Sequence, residues 1–120
     1  MAVFSTNLLI YKHTDFEQTF ILEDSQSNSA KDLTGFTAQS QLRKHPANPR
    51  FADIQVGIVN ATQGLINISI ASTITENLQG GRHVYDIILT KPNGFKFVAV
   101  EGNALVRSGI TTMVHYFGSP

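Results

Sequence analysis

The sequence predicts an all-β domain. The expected form is an antiparallel β-sandwich of about seven strands, near the size of an immunoglobulin domain, with one short helical turn near residues 72–79. Three observations carry this reading. Apolar residues recur with period two along most of the chain. Turn-forming residues interrupt that alternation about every 8–12 positions. Only the stretch from Ser72 to Leu78 departs from it. The 120 residues read as a single domain, 1–120, with a core at about 8–112 and short arms at the N-terminus (1–5) and C-terminus (115–120). A chain of this length buries roughly two-thirds of its unfolded surface, enough for one hydrophobic core without covalent staples.

The elements follow in order. Phe16, Phe20 and Leu22 share one face, with Glu17, Thr19 and Glu23 on the other. Asp24 to Ser29 is a polar turn. Leu33-Thr34-Gly35 precedes a strand in which Phe36, Ala38, Ser40 and Leu42 alternate with Thr37, Gln39, Gln41 and Arg43. His45-Pro46-Ala47-Asn48-Pro49-Arg50 is a loop, because two prolines so close oppose both a helix and an inner strand. Ile54, Val56 and Ile58 alternate, then Asn60 to Gly64 turns the chain, and Ile66, Ile68 and Ile70 alternate again. Val84, Ile87 and Leu89 follow. Pro92-Asn93-Gly94 is a hairpin with Gly94 available for positive φ, and Phe95, Phe97, Val98, Val100, Ala104 and Val106 continue the core pattern. Between Ala71 and Gly80, Thr73 and Glu76 have capping-box spacing, so a single helical turn is expected with Ile74 and Leu78 on the core.

Composition excludes several classes. Nine basic residues balance nine acidic ones, so no long-range field draws the chain to nucleic acid or anionic lipid. Charged residues are 15% of the chain, against about 25% in a typical domain, which leaves little repulsion between copies. There is no cysteine, hence no disulfide, thiolate nucleophile or thiolate metal site. The start, Met1 to Ser5, lacks the basic and apolar regions of a signal peptide, and apolar runs fall far short of the ~20 residues that cross a bilayer. The chain reads as made and folded in a cytoplasm.

The order of motifs is recognisable. "YKHTDFEQTFIL" from Tyr11, "DLTGFTAQSQLRK" from Asp32 to Lys44, and the stretch from Gly64 to Val106 follow one another. Together they resemble a small β-sandwich domain common in structural proteins of tailed-bacteriophage virions, found alone or as the N-terminal module of baseplate and fibre-network adaptor proteins. The matching positions are Asp15-Phe16, Asp32 to Ala38, Leu42-Arg43, Leu78, Gly81, Val84-Tyr85-Asp86, Leu89-Thr90, Gly94, Glu101-Gly102 and Ile110-Thr111. His13 and His83 depart from the family pattern, which has glycine or an acidic residue at the first and an aromatic or small residue at the second. The resemblance implies an architectural role and carries no catalytic residue.

The residues that could bear chemistry point the same way. His13, His45, His83 and His115 lack metal-ligand spacing and read as loop or surface histidines, the alternative being a metal site between copies at a symmetry axis. Asp15 with Glu17 lie two apart on a strand, and no cleft is implied that would set two carboxylates to different pKa values. Asp86, among apolar strand residues, must be exposed or paired with Arg43, Arg82 or Arg107. Gly80-Gly81 precedes a strand, whereas a phosphate loop opens a helix. No enzyme activity, cofactor or metal is expected.

The expected function is that of a tailed-phage virion structural protein, assembling by protein–protein contacts in the tail, neck or baseplate. Its expected partners are other virion proteins and further copies of itself in a symmetric homo-oligomer, with no nucleic acid and no membrane. Strand addition at an exposed edge and exchange of the terminal arms are the two contact modes open to it. The expected contact residues are His45, Pro46, Asn48, Pro49 and Arg50 in the loop and Tyr116 and Phe117 in the C-terminal arm, together with the N-terminal strand. The alternatives are a capsid decoration or cement protein and, in another class, a carbohydrate-binding module, for which the absence of tryptophan is unfavourable.

Overall fold

The longest strand pair is set by one turn. Lys91 to Phe95 closes with Gly94 N–H donating to the Lys91 carbonyl at 2.8 Å and Lys91 N–H donating to the Phe95 carbonyl at 2.8 Å. Gly94 has φ +91°, the left-handed position of a three-residue hairpin loop. The turn joins two strands, Gly81–Thr90 and Lys96–Arg107, which run antiparallel along their whole length. In the computed structural model, which describes residues 4–23 and 30–110, the strands are β1 (Phe4–Ser5), β2 (Leu8–Tyr11), β3 (Phe16–Ile21) and β4 (Thr37–Arg43). They continue as β5 (Ala52–Asn60), β6 (Leu65–Ile70), β7 (Gly81–Thr90) and β8 (Lys96–Arg107). A 3₁₀ turn, Ala61–Gln63, joins β5 to β6, and a helical turn, α1 (Ser72–Thr75), joins β6 to β7.

The hydrogen-bonded order is β1-β8-β7-β4-β5-β6-β3, with β2 also on β8. β1 and β2 are two pieces of one N-terminal strand: Phe4 pairs with Val100 and Leu8 with Ala104, both parallel to β8. The architecture is therefore a seven-strand mixed sheet nearly closed into a barrel, which corrects the expected antiparallel sandwich. The reason is physical. Alternation reports which face of a strand is buried, and turns report local reversals; neither reports the direction of a partner about a hundred residues away. β2 and β3 lie at opposite edges of the pairing order yet are joined by only Lys12 to Asp15, so the sheet must curl until its two edges meet at that corner. His13 turns the corner at φ +70°.

The core lies inside this curl. Ile10, Leu42, Ile66, Ile68, Ile70, Ile87, Leu89, Val100, Ala104 and Val106 are almost fully buried. A β-bulge aligns β8 with the core. Ile87 pairs with Val100 and Ile88 with Val98, leaving Ala99 extra. Inward positions therefore shift from odd (Phe97, Ala99) to even (Val100, Ala104, Val106), and Ala99 and Val100 are both buried. On β7 the inward residues are His83, Tyr85, Ile87 and Leu89, whereas the expected core residue Val84 faces outward. Phe97 packs on the core edge-on to Phe36. Phe95, also expected inside, is exposed at the hairpin tip with the Lys91 ammonium 5.1 Å from its ring.

The N-terminal strand is held by a close backbone contact. Between β1 and β2 the Thr6 carbonyl sits over Gly102, where a Cβ would lie 1.9 Å from the Thr6 oxygen. Tyr85, the cross-strand partner of Gly102, donates its hydroxyl to that same carbonyl at 2.7 Å. Burial pushes the Tyr85 phenol up to about 12, so it stays protonated as a donor at neutral pH. Thr6 N–H donates to the Glu101 carbonyl at 3.0 Å, and Asn7 Oδ1 accepts from Asn103 N–H at 3.1 Å.

The helical turn is real but differently anchored. No capping box forms from Thr73 and Glu76. The N-cap residue is Ala71, which has no side-chain cap. Instead Asp15 Oδ1, from the β2–β3 corner, accepts from Ser72 N–H at 2.7 Å. Thr75 is fully buried and donates to the Thr14 carbonyl at 2.8 Å, while the expected core residue Ile74 is 37% exposed; Leu78 is buried as expected. Of the expected N-terminal arm, Phe4 and Ser5 belong to the sheet. The C-terminal arm, with Tyr116, Phe117 and His115, lies outside the described residues.

Gly102→Ala and Tyr85→Phe test the lock on the N-terminal strand, with Gly57→Ala as the control. Gly102→Ala should lower unfolding free energy in urea by about 3 kcal/mol or more, because its methyl group meets backbone. Gly57→Ala, with nothing within 4 Å of its added Cβ, should change it by less than about 1 kcal/mol. Tyr85→Phe should cost about 1–3 kcal/mol by leaving the Thr6 carbonyl without its donor.

Candidate functional site

A groove opens where the β4–β5 loop faces the α1 turn. Its volume is about 680 Å³. One wall is Arg43, Lys44, Asn48, Pro49, Arg50, Phe51 and Asp53; the other is Thr73, Ile74, Asn77 and Gln79; Leu42, Leu78 and His83 lie at its base.

The loop wall is built on Arg43. At the end of β4 its Nη1 donates to the Asn48 carbonyl at 2.6 Å and its Nη2 to Gln41 Oε1 at 3.0 Å. Within the loop Asn48 N–H donates to the His45 carbonyl at 2.9 Å, and Asn48 Oδ1 accepts from Arg50 N–H at 3.0 Å. These bonds supply partners that the two prolines cannot, since proline has no N–H. The Arg43 guanidinium also lies 4.8 Å from the centre of the Phe51 ring, a cation–π contact that holds a half-exposed aromatic at the rim. Across the groove, Lys44 Nζ donates to the Gly80 carbonyl at 3.1 Å and ties this wall to the segment after α1.

Charge in the groove is unbalanced. Arg43, Lys44 and Arg50 face a single carboxylate, Asp53, which accepts from Gln41 Nε2 at 3.2 Å. Among the described residues none of the three cations forms an ion pair; the one acid–base contact within 4 Å is His13 Nδ1 with Glu76 Oε2 at 3.9 Å, an ion pair only when the imidazole is protonated. At the base, His83 is 5% exposed and its Nδ1 donates to the Gly81 carbonyl at 3.3 Å. Burial holds the His83 imidazole below its ordinary range, the Lys44 charge adds to this, and the Gly81 hydrogen bond opposes it. The expected surface histidine is thus a buried neutral one.

A second depression lies on the outer face of β4, β7 and β8, lined by Gln41, Arg43, Pro46, Asp86, Glu101 and Asn103 among others. Asp86 pairs across strands with Glu101 and, on its other side, with Gln41. Burial pushes the Asp86 carboxyl up, the facing Glu101 pushes it further, and Arg43 pulls it down. Its backbone carbonyl accepts from Ser40 Oγ at 2.5 Å. Of the arginines considered for Asp86, Arg43 is the one that acts on it, without a direct ion pair among the described residues.

The fold therefore gathers Asn48, Pro49 and Arg50 of the expected contact loop into the groove. Pro46 lines the second depression, His45 is exposed outside both, and Tyr116 and Phe117 lie outside the described residues. Sequence reasoning missed Arg43, Phe51, Asp53, Thr73 and Asn77 as groove residues. Phe51, two residues after the second proline, carried a usable signal, since an aromatic next to a proline loop has little core to enter. The α1 side carried none, because its approach depends on the Asp15 cap. The groove offers fixed cations, amides and an aromatic face, which is equipment for recognition.

The chain thus defines a small mixed-sheet β-barrel-like domain with a basic loop-lined groove. No protein-family model and no curated protein matches it. Among solved structures it is similar to the N-terminal domain of phage TP901-1 ORF48, with a TM-score of 0.57 and 11% identity, covering 86% of each chain. The likeness is one of fold. Among the described residues no helix is long and apolar enough to cross a membrane.

His83 and Asp86 give opposite pH signatures. The unfolded chain takes up a proton at His83 that the fold resists, so stability should fall as pH drops below about 6.5 towards the depressed folded value. The slope should not exceed about 1.4 kcal/mol per pH unit from this group, and His83→Gln should flatten urea midpoints in that window. Asp86 is disfavoured as a carboxylate in the fold, so Asp86→Asn should raise stability at neutral pH by less than about 1 kcal/mol, with the gain vanishing below the unfolded carboxyl value of 3.8.

Proposed function

We propose that this chain is a structural protein of a tailed-phage particle, acting without catalysis and assembling through protein–protein contacts in the tail, neck or baseplate. The observation that carries the proposal is the fold likeness to a domain of a phage protein over 86% of both chains. The groove supports it. Three cations, of which Arg43 and Lys44 are held by backbone carbonyls, with one carboxylate among them, suit an acidic segment of a neighbouring virion protein. In this reading Arg43 and Lys44 shape the groove, and the exposed Arg50 and Phe51 meet the partner at its rim. The partners are other virion proteins and further copies of the chain, and its place is the virion after assembly in the host cytoplasm.

Immunogold labelling of purified particles tests the location: label at the tail or neck is expected, and capsid-wide label would replace the proposal with a decoration protein. Arg50→Glu should reduce incorporation into particles about tenfold by reversing charge at the rim, with folding unchanged because only its backbone N–H is bonded among the described residues. Micromolar binding on a glycan array would instead favour a carbohydrate-binding module.

A further inference from the structure

The open edge of β3 carries an inference of its own. Among the described residues β3 ends the pairing order and bonds to β6 along one side. Leu22 N–H donates to the Gly64 carbonyl at 2.9 Å, continuing the β3–β6 ladder by one position. Backbone groups alternate sides along a strand. Phe16, Gln18 and Phe20 therefore turn theirs towards β6, and Glu17, Thr19 and Ile21 turn theirs to the open edge. Natural edges of this kind are blunted by proline, lysine, bulges or inward charges. β3, Phe16-Glu17-Gln18-Thr19-Phe20-Ile21, has none of these; its register with β6 runs unbroken and its one charge, Glu17, points outward. The other edge differs: β1 and β2 are short pieces interrupted at Thr6 and Asn7, where the backbone turns to Gly102.

The strand is also complementary to itself. A two-fold axis perpendicular to the sheet sets Gln18 opposite the partner's Gln18. Phe16 then faces the partner's Phe20 on the inner side, and Glu17 faces the partner's Thr19 on the outer side. Both aromatics are half-buried and stand at the margin of their own core. No like charges oppose, and aromatic cross-strand pairs are among the favourable ones. The open groups of Glu17 and Thr19 exchange hydrogen bonds in this register. We propose that two copies of this chain join antiparallel through their β3 edges about a two-fold axis at Gln18, extending each sheet into the other. This specifies the self-association in the proposed function but is measurable on purified protein, so its failure leaves the particle reading to be judged by labelling.

The chain has no cysteine, so Gln18→Cys introduces a lone thiol. Facing residues in a non-hydrogen-bonded antiparallel pair have Cα atoms about 4.5 Å apart, within disulfide reach. Mild oxidation should convert this variant to a covalent dimer of twice 13.2 kDa at least about tenfold faster than Gln55→Cys, an exposed position away from the edge. Charge placed at exposed Thr19 reads the register. Thr19→Glu in the Gln18→Cys background sets like charges against the partner's Glu17 and should slow cross-linking about two- to tenfold at low salt, while Thr19→Lys should speed it. Cross-linking no faster than for Gln55→Cys, or effects of the same sign from Glu and Lys, would overturn the proposal.

Discussion

The fold depends on one backbone crossing. The Thr6 carbonyl occupies the space a side chain would take at Gly102, and the Tyr85 hydroxyl satisfies it there. This contact fixes the N-terminal strand on β8, the strand nearest the other end of the described chain, and makes the sheet mixed. A buried carbonyl without a donor would be costly, and a side chain at residue 102 would exclude it altogether. Glycine, tyrosine and the kink between β1 and β2 are thus one device distributed over three distant segments.

Closure follows from that placement. With β2 committed to β8, the short link from Lys12 to Asp15 pulls β3 round to the opposite edge, and β3 brings β6 with it. The corner then organises its surroundings. Asp15 caps α1, Thr14 receives the Thr75 hydroxyl, and Glu76 approaches His13. Through α1 the corner positions one wall of the groove, while Arg43 and its loop partners position the other. A surface with the character of a binding site is therefore assembled from segments the core already holds.

Electrostatics and edge structure divide the surface by task. Cations concentrate at the groove, where hydrogen bonds to carbonyls hold Arg43 and Lys44 without neutralising them. The outer face of β7 and β8 tolerates an unfavourable carboxylate pair, Asp86 and Glu101, at the edge of solvent. β3 keeps an unblunted edge, which in a protein that works alone would be a hazard and in one that assembles is a means of contact.

Much of the fold was legible in the sequence. Period-two alternation located β3 to β8, Gly94 marked the hairpin, and the departure near Ser72 marked α1, because each reflects a local rule of backbone or burial. The shift in phase at Val98–Val100 is visible as well, as the print of the bulge at Ala99. Three things needed the tertiary structure. Strand direction at β1 and β2 joins the chain's distant parts. The inward face of β7 is ambiguous where Val84 and Ile88 are apolar on the outside and His83 is buried inside. The groove exists only because Asp15 and Lys44 bridge segments far apart in sequence. Composition and alternation by themselves determined an all-β chain with one core; the parallel N-terminal strand, the near-closed barrel and the site were decided by long-range contacts, which leave no period in a sequence.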